Sequence, residues 1–273
     1  MTLRIGQIEY ANCTPIFSAL KAYFECGNYR FVGGVPAELN AMLGRGEIDV
    51  CPSSSIEYGK HPGKYFLLPD ISISAVGPVK SVLLFSRFPL EELNNRTIGL
   101  TTESETSVNL LRILLARNYG FSNVFERTPL PLPEALKTFR ALLLIGDAAL
   151  REGMRSSELF VYDLGELWHR FTGLPFVFAL WMVTREAAEK KHEEVKSLCA
   201  ALLAAKLLAY DSYGAIADES KERQWISRDA LVDYWQTISY DLTPLHLEGV
   251  TIFFRYAKEL GLLPEEPEIR IFA

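Results

Sequence analysis

Strand-like and helix-like segments alternate through the first two thirds of the chain, and this alternation restricts the possible folds more than any other feature. Alternating apolar and polar residues predict a strand over 3–10, and Pro15 begins a predicted helix that runs to Phe24. This order predicts a mostly parallel sheet whose faces are covered by helices. The next predicted elements are a strand over 29–32, a helix over 36–43, and strands over 47–51, 66–76 and 81–86.

A second unit of the same kind is predicted to begin near Phe88 and Pro89. We therefore predict two lobes, the second inserted into the first: residues 1–86 plus 184–273, and residues 87–183. Hinges are expected near 84–87 and 178–183. The patterns in this part predict strands over 97–100, 141–145 and 176–183, helices over 104–119 and 133–139, and, beyond Arg185, only helices, over 186–213, 227–239 and 245–260.

Two α/β lobes of this kind are typical of the two-lobed, periplasmic-binding-protein-like (type II) fold. In such sheets the ligand binds at the carboxyl ends of parallel strands, which here places a cleft between the lobes. The C-terminal helices either brace the first lobe or form a dimer surface, and the oligomeric state stays open.

The charge balance and the cysteines limit the partners and the compartment. The chain has 28 Lys and Arg against 34 Asp and Glu, a net charge of −6, which argues against nucleic acid or an anionic membrane as a partner. The chain opens without a signal-peptide pattern, and no apolar run approaches ~20 residues. The 4 cysteines show no disulfide or metal-ligand spacing. We therefore expect a cytoplasmic protein that binds no metal.

Polar residues cluster where the predicted strands end. Each hydroxyl, taken alone, is an ordinary helix cap. Together, helix N-termini that face one cleft from opposite lobes suit a small molecule with two carboxylates. We expect uncharged hydrogen-bond donors to dominate the cleft. The clusters hold Tyr10 and Asn12; Ser53, Ser54 and Ser55; Thr102, Thr106 and Ser107; and Gly146 and Asp147.

Several longer stretches resemble a single family. Over about residues 3–260 the chain resembles the chorismate dehydratases of the futalosine route to menaquinone, the MqnA family. The first loop reads Glu9-Tyr10-Ala11-Asn12, where the family often has Ser-Tyr-Leu-Asn, so the Asn is kept. The stretches that carry the resemblance are Arg4–Gly6, Tyr10–Pro15, Gly46–Tyr58, Leu68–Ser74, Ser81–Ser86, Leu100–Val108, Ile145–Leu150, Asp163–Trp168 and Thr172–Ala179.

The resemblance implies a lyase that removes water from chorismate and yields 3-[(1-carboxyvinyl)oxy]benzoate without a cofactor. For catalysis we predict Asn12, Ser81 and Asp147. Two groups could take the ring proton: the carboxylate of Asp147, which could instead be a helix cap, or the substrate's own enolpyruvyl carboxylate. In the second case Asn12 and Ser81 orient the substrate, and the carboxylates are bound by Ser54, Ser55, Thr106 and Ser107.

Two alternatives to this function remain. The first is the paralogous 1,4-dihydroxy-6-naphthoate synthase, whose opening motif has an Asn-Asp pair where this chain has Asn12-Cys13. The second is a cytosolic protein that only binds a small carboxylate, because a fold does not by itself determine function.

Overall fold

A computed structural model describes residues 2–155 and 158–273 of the protein. In this part of the chain, ten strands form two five-stranded sheets, and helices surround both. The strands are β1 (Leu3–Ile8), β2 (Tyr29–Gly34), β3 (Val50–Ser54), β4 (Tyr65–Ala75), β5 (Val82–Ser86), β6 (Thr97–Leu100), β7 (Val124–Arg127), β8 (Ala141–Ile145), β9 (Phe160–Asp163) and β10 (Phe176–Thr184). The helices are α1 (Thr14–Tyr23), α2 (Pro36–Gly44), α3 (Ser55–Lys60), α4 (Thr106–Ile113), α5 (Leu132–Thr138), α6 (Gly146–Arg155), α7 (Leu164–Thr172), α8 (Arg185–Lys190), α9 (His192–Glu219), α10 (Arg228–Trp235) and α11 (Pro244–Glu259).

Each sheet is mixed, but four of its five strands run in the same direction, so the prediction of mostly parallel sheets is confirmed, with one reversed strand in each. The first sheet has the order β2-β1-β3-β10-β4, in which β1 is parallel to β2 and β3, and β10 is antiparallel to β3 and β4. The second has the order β7-β6-β8-β5-β9, in which β6 is parallel to β7 and β8, and β5 is antiparallel to β8 and β9. The two antiparallel strands, β5 and β10, come directly after the segments in which the chain crosses from one sheet to the other. Each of them runs opposite to both of its neighbours in the sheet.

The strand pairing also moves the points at which the chain changes lobe. β5 belongs to the second sheet and β10 to the first, so the chain crosses over 76–81 and over 164–175 rather than at 86/87 and 183/184. The expected hinge segments therefore lie largely inside paired strands. Residue periodicity identifies a strand, but it does not identify the strand's neighbours, and this explains the displaced boundaries. The prediction of a two-lobed α/β fold with C-terminal helices is confirmed.

The C-terminal helices pack on the first lobe and reach the second. α9 packs along α1, and α11 packs against β10 and touches α4. The rings of Trp168, Phe176 and Phe253 meet edge to face in the core, which joins the second crossing segment to α11. These helices thus brace the lobes.

The helix α9 is long and apolar enough to cross a membrane by length and composition, a test that core helices of soluble proteins also pass. In this fold its Lys206 donates at 2.8 Å to both Asp70 O and Asp241 Oδ1. Those two bonds tie α9 to β4 and to the segment before α11.

Candidate functional site

A cavity of about 60 Å³ lies between the two sheets. Apolar residues form more than half of its wall, so the expectation that hydrogen-bond donors dominate the cleft is wrong. None of the described residues that line it is charged. The apolar lining is Ile8, Pro36, Ile73, Val79, Val82, Ile145, Phe178 and Ala179, and the polar lining is Tyr10, Asn12, Ser54, Ser81, Ser104, Ser107 and Gly146.

Apart from Ser81, which directly precedes β5, the polar lining lies where four helices begin. Asn12 comes just before α1, Ser54 directly precedes α3, Ser107 lies in the first turn of α4, and Gly146 is the first residue of α6. The N-terminal end of a helix carries a partial positive charge and free N–H groups. This part of the cavity can therefore attract anionic groups without a charged side chain, while the apolar walls can hold a ring.

Asn12 presents an unsatisfied acceptor. Its Oδ1 is buried and finds no hydrogen-bond partner within the described residues. A buried polar atom without a partner costs free energy, so it is expected to find one when a ligand binds. A hydroxyl or another donor group of a ligand would satisfy it.

Three serines line the cavity outside the first lobe. Ser81 ends the first crossing segment, and Ser104 and Ser107 belong to the second lobe. The Ser81 hydroxyl donates over a long 3.4 Å to Val79 O. The Ser104 hydroxyl donates to Ser107 Oγ at 3.1 Å and accepts from Ser107 N at 3.1 Å. Ser104 is not among the residues predicted from the sequence, although it lies in the same motif and three residues before Ser107, which is the spacing of a helix cap.

Four of the predicted site residues, besides Asp147, do not line this cavity. Ser55 donates to Val177 O at 2.7 Å, and Thr106 accepts from Ile56 N at 3.0 Å, so these hydroxyls are used within the protein. The buried Ser53 Oγ has no partner among the described residues, but it does not line the cavity. Thr102 is exposed, in a separate surface depression beside Arg151.

Strand geometry explains the difference among the three serines. Successive side chains of an extended strand point to opposite faces, so Ser54 faces the cavity while Ser53 does not. Ser55 is already the first residue of α3, and its hydroxyl donates to Val177 O. The Ser54 hydroxyl accepts from Asn40 Nδ2 at 2.6 Å, which fixes it at the start of α3.

Asp147 lies in the first turn of α6 and faces the loop that carries Asn12. Its Oδ1 accepts from Ala11 N at 2.9 Å, a hydrogen bond that joins the two lobes. Burial raises the pKa of Asp147 above 3.8, Glu222 raises it further, and the Ala11 hydrogen bond opposes both. Its side chain is beside the cavity rather than in its lining.

Tyr10 closes the cavity against the second lobe. Its hydroxyl donates to Glu103 Oε2 at 2.8 Å, and its ring lies against the backbone of Gly146. Burial and the Glu103 carboxylate both raise the pKa of Tyr10 well above 10, so the phenol stays neutral.

Comparisons with known proteins agree with this architecture. Residues 3–259 match a family model described as menaquinone biosynthesis. A protein of Thermus thermophilus named chorismate dehydratase is 34% identical, over 94% of this chain and 95% of the relative. A Campylobacter jejuni protein of the same name is 29% identical, over 67% of this chain and 68% of its own.

Two solved structures share the fold. An Archaeoglobus fulgidus protein superposes with a TM-score of 0.77 at 17% identity and covers 96% of this chain and 98% of its own. The periplasmic aliphatic sulphonate binding protein of Escherichia coli gives 0.72 at 14% identity, over 100% of this chain and 92% of its own. At such identities they show the fold alone, whereas the family match spans nearly the whole chain. The chain therefore belongs to the menaquinone biosynthesis family.

Proposed function

We propose that the protein is a chorismate dehydratase, a hydro-lyase of menaquinone biosynthesis. The observation that carries this proposal is the uncharged cavity that Asn12 and Ser81 both line, together with apolar walls. Apolar walls of this kind suit the ring of a dicarboxylate in chemical character, and the helix N-termini suit its anionic ends. The name of the Thermus thermophilus relative supports the same reaction. We also propose a cytoplasmic location, which the 4 free cysteines favour.

The reaction breaks two bonds that join substituents to adjacent carbons of the substrate ring. The C–H bond at the ether-bearing carbon breaks, its electron pair forms the new ring double bond, and the neighbouring C–O bond breaks. The proton passes to a base and from there to the departing hydroxide, which keeps the electron pair of the C–O bond, so the net loss is one molecule of water. Because the ring becomes aromatic, the protein needs only to hold the reactive conformer and to stabilise the charge that develops on the departing oxygen.

We propose that the substrate's enolpyruvyl carboxylate takes the proton. No carboxylate, imidazole or amine is found among the described residues that line the cavity. The nearby carboxylate of Asp147 is already engaged by Ala11 N. In this proposal Asn12 and Ser81 orient the leaving hydroxyl and the enolpyruvyl group.

The proposed carboxylate sites follow the helix starts. Ser54, Ser104 and Ser107 stand where α3 and α4 begin, and we assign one carboxylate to them. Ser55, Thr106 and Thr102 are not needed for this binding, because their side chains lie outside the cavity lining.

The test is incubation of the purified protein with chorismate, with the aromatic product followed by absorbance and NMR. We expect turnover, and a loss of kcat of about 100-fold or more in Asn12→Ala and Ser81→Ala. Asp147→Asn should keep kcat within about tenfold. A loss of roughly 100- to 10,000-fold in Asp147→Asn, with chorismate still bound, would instead make Asp147 the base. Binding without any product would favour a carboxylate-binding protein, and no binding would favour the naphthoate-forming paralogue.

A further inference from the structure

The loop that carries Asn12 is held by two side chains from the C-terminal part of the chain. Trp235 Nε1 donates to Ala11 O at 2.7 Å, and the Tyr240 hydroxyl donates to Asn12 O at 2.8 Å. Both side chains are 0% exposed. Two consecutive peptide carbonyls are therefore fixed by two buried donors that belong to neither sheet.

The segment that supplies these donors is itself anchored to the first sheet. Ser72 N donates to Tyr240 O at 2.9 Å, and Ser74 and Ser239 exchange two backbone hydrogen bonds of 2.8 Å. Tyr240 N donates to the Tyr210 hydroxyl at 2.8 Å, which joins the segment to α9. The segment that supplies the donors is thus held in place by hydrogen bonds to the strand β4 and the helix α9.

The same loop is also held from the second lobe. Ala11 N donates to Asp147 Oδ1, so the backbone N–H and C=O of this one residue are bonded to opposite sides of the molecule. The next residue is Asn12, whose Oδ1 lacks a partner in the described structure. Hydrogen bonds therefore fix the backbone at Ala11 and at Asn12, while the side-chain oxygen of Asn12 stays available to a ligand.

We propose that Trp235 and Tyr240 are positioning residues for Asn12. They hold its backbone so that the side-chain amide meets the substrate in one orientation. This inference rests on the proposed function, in which Asn12 contacts chorismate. It gives the C-terminal helices a part in catalysis, because Trp235 at the end of α10 and Tyr240 between α10 and α11 set the geometry of the cavity loop.

A double-mutant cycle tests this coupling. Tyr240→Phe keeps the ring and removes only the hydroxyl, and Trp235→Phe removes the indole N–H. We expect each to lower kcat/KM for chorismate dehydration about five- to tenfold, since each removes a hydrogen bond to a neutral carbonyl. In an Asn12→Ala background the same substitutions should change kcat/KM less than about twofold.

A matched control separates positioning from general stability. Tyr65 is also 0% exposed, and its hydroxyl donates to Glu57 Oε1 at 3.0 Å, outside the cavity lining. Tyr65→Phe should leave kcat/KM unchanged in both backgrounds, with thermal melting measured for every variant. Losses from Tyr240→Phe that persist in full in Asn12→Ala would overturn the proposal.

A second measurement does not depend on turnover. The side-chain amide of Asn12, assigned in a ¹⁵N NMR spectrum as the signal that Asn12→Ala removes, should shift or broaden in Tyr240→Phe and Trp235→Phe but not in Tyr65→Phe. An unmoved signal contradicts the positioning role even if kcat changes. If the parent protein does not convert chorismate while the amide signal responds, the proposed function fails and the positioning of Asn12 stands.

Discussion

Gly146 lies where the two lobes come into close contact beside the cavity. Its φ of +59° lies in the left-handed region that favours glycine. A Cβ at this position would lie 2.9 Å from Tyr10 Cε2 and 3.0 Å from Tyr10 Cδ2. The glycine thus serves the turn before α6 and also the contact with a ring of the other lobe.

Gly146→Ala is predicted to weaken substrate binding. The added methyl group must displace the Tyr10 ring and with it the wall of the closed cavity, so KM for chorismate should rise about tenfold. The left-handed backbone adds strain of about 1–2 kcal/mol to the folded state. Steady-state kinetics and thermal melting measure the two effects separately.

Gly120 provides the control for this change. It also has a positive φ, of +68°, but a Cβ there would meet nothing within 4 Å. Gly120→Ala should lower the melting temperature to a similar degree and leave KM unchanged. An equal rise in KM for both variants would mean that strain, not the Tyr10 contact, governs binding.

Only those site residues that lie in the loop motifs could be predicted from the sequence. The loop motifs contain Tyr10, Asn12, Ser81 and Gly146, and the structure brings all of these to one cavity. Which serine of 53–55 faces the cavity could not be predicted, because that depends on how β3 pairs with β10. The apolar half of the wall was missed for a related reason: Ile73 and Phe178 belong to strands, where an apolar residue indicates a core position and nothing more.

At the scale of elements, the carboxylate of Asp49 joins three parts of the first lobe. It accepts from Arg4 N at 2.7 Å and from Arg4 Nη2 at 2.6 Å, both in β1. It also accepts at 2.7 Å from Lys191 Nζ, at the junction of α8 and α9. Asp49 itself directly precedes β3, and its side chain is only 5% exposed.

Asp49→Asn is predicted to lower the free energy of unfolding at pH 7 by about 2 kcal/mol, because it leaves Arg4 and Lys191 without their buried partner. Burial alone would raise the pKa of Asp49, but hydrogen bonds from Arg4 and Lys191 outweigh it, and the pKa lies below 3.8. The stabilisation is therefore present above pH 3.8 and is lost as pH falls through the folded pKa. Urea unfolding at several pH values measures it.

Glu47 is the matched control, since its ion pair with Arg45 is exposed on both sides. Glu47→Gln should have no measurable effect on unfolding at any pH. If both variants lose the same stability, general charge balance would explain the result rather than the Asp49 contacts.

The elements themselves show which signals a sequence carries. Segments with a clear apolar pattern, such as the alternating β1, the helix α1 and the continuous apolar run of β8, were predicted near their observed bounds. β7, β9 and α7 were not predicted; the two strands have four residues each and lie at sheet edges with half-exposed or exposed side chains, so they lack a regular apolar pattern. The single helix predicted over 186–213 is two helices, because the chain turns at Lys191.

At the scale of the whole molecule, the cavity is too small for the proposed substrate to enter unless the lobes separate. A volume of about 60 Å³ holds only roughly five water molecules, whereas ligand pockets are commonly ~300–1,000 Å³. Hydrogen bonds across the lobes close it, among them Tyr10 to Glu103, Lys60 to Glu105, and Ile56 N to Thr106 Oγ1. Substrate binding is therefore expected to include opening and reclosing of the lobes.

Thr106→Val is predicted to shift the free protein toward the open state. The substitution keeps the side-chain shape and removes the acceptor of Ile56 N, which is then unsatisfied when the lobes close but solvated when they open. An unpaired buried N–H costs about 1–3 kcal/mol, which shifts the open-to-closed ratio roughly 5- to 150-fold. Small-angle X-ray scattering should show a larger radius of gyration without chorismate, and KM should rise.

Thr184→Val is the matched control, because Thr184 Oγ1 accepts from Ala187 N at 3.2 Å within the first lobe. It should lower stability by about 1 kcal/mol without changing the radius of gyration. If Thr106→Val leaves both the radius of gyration and KM unaltered, this hydrogen bond does not control closure. The Tyr10–Glu103 and Lys60–Glu105 contacts would then hold the lobes together.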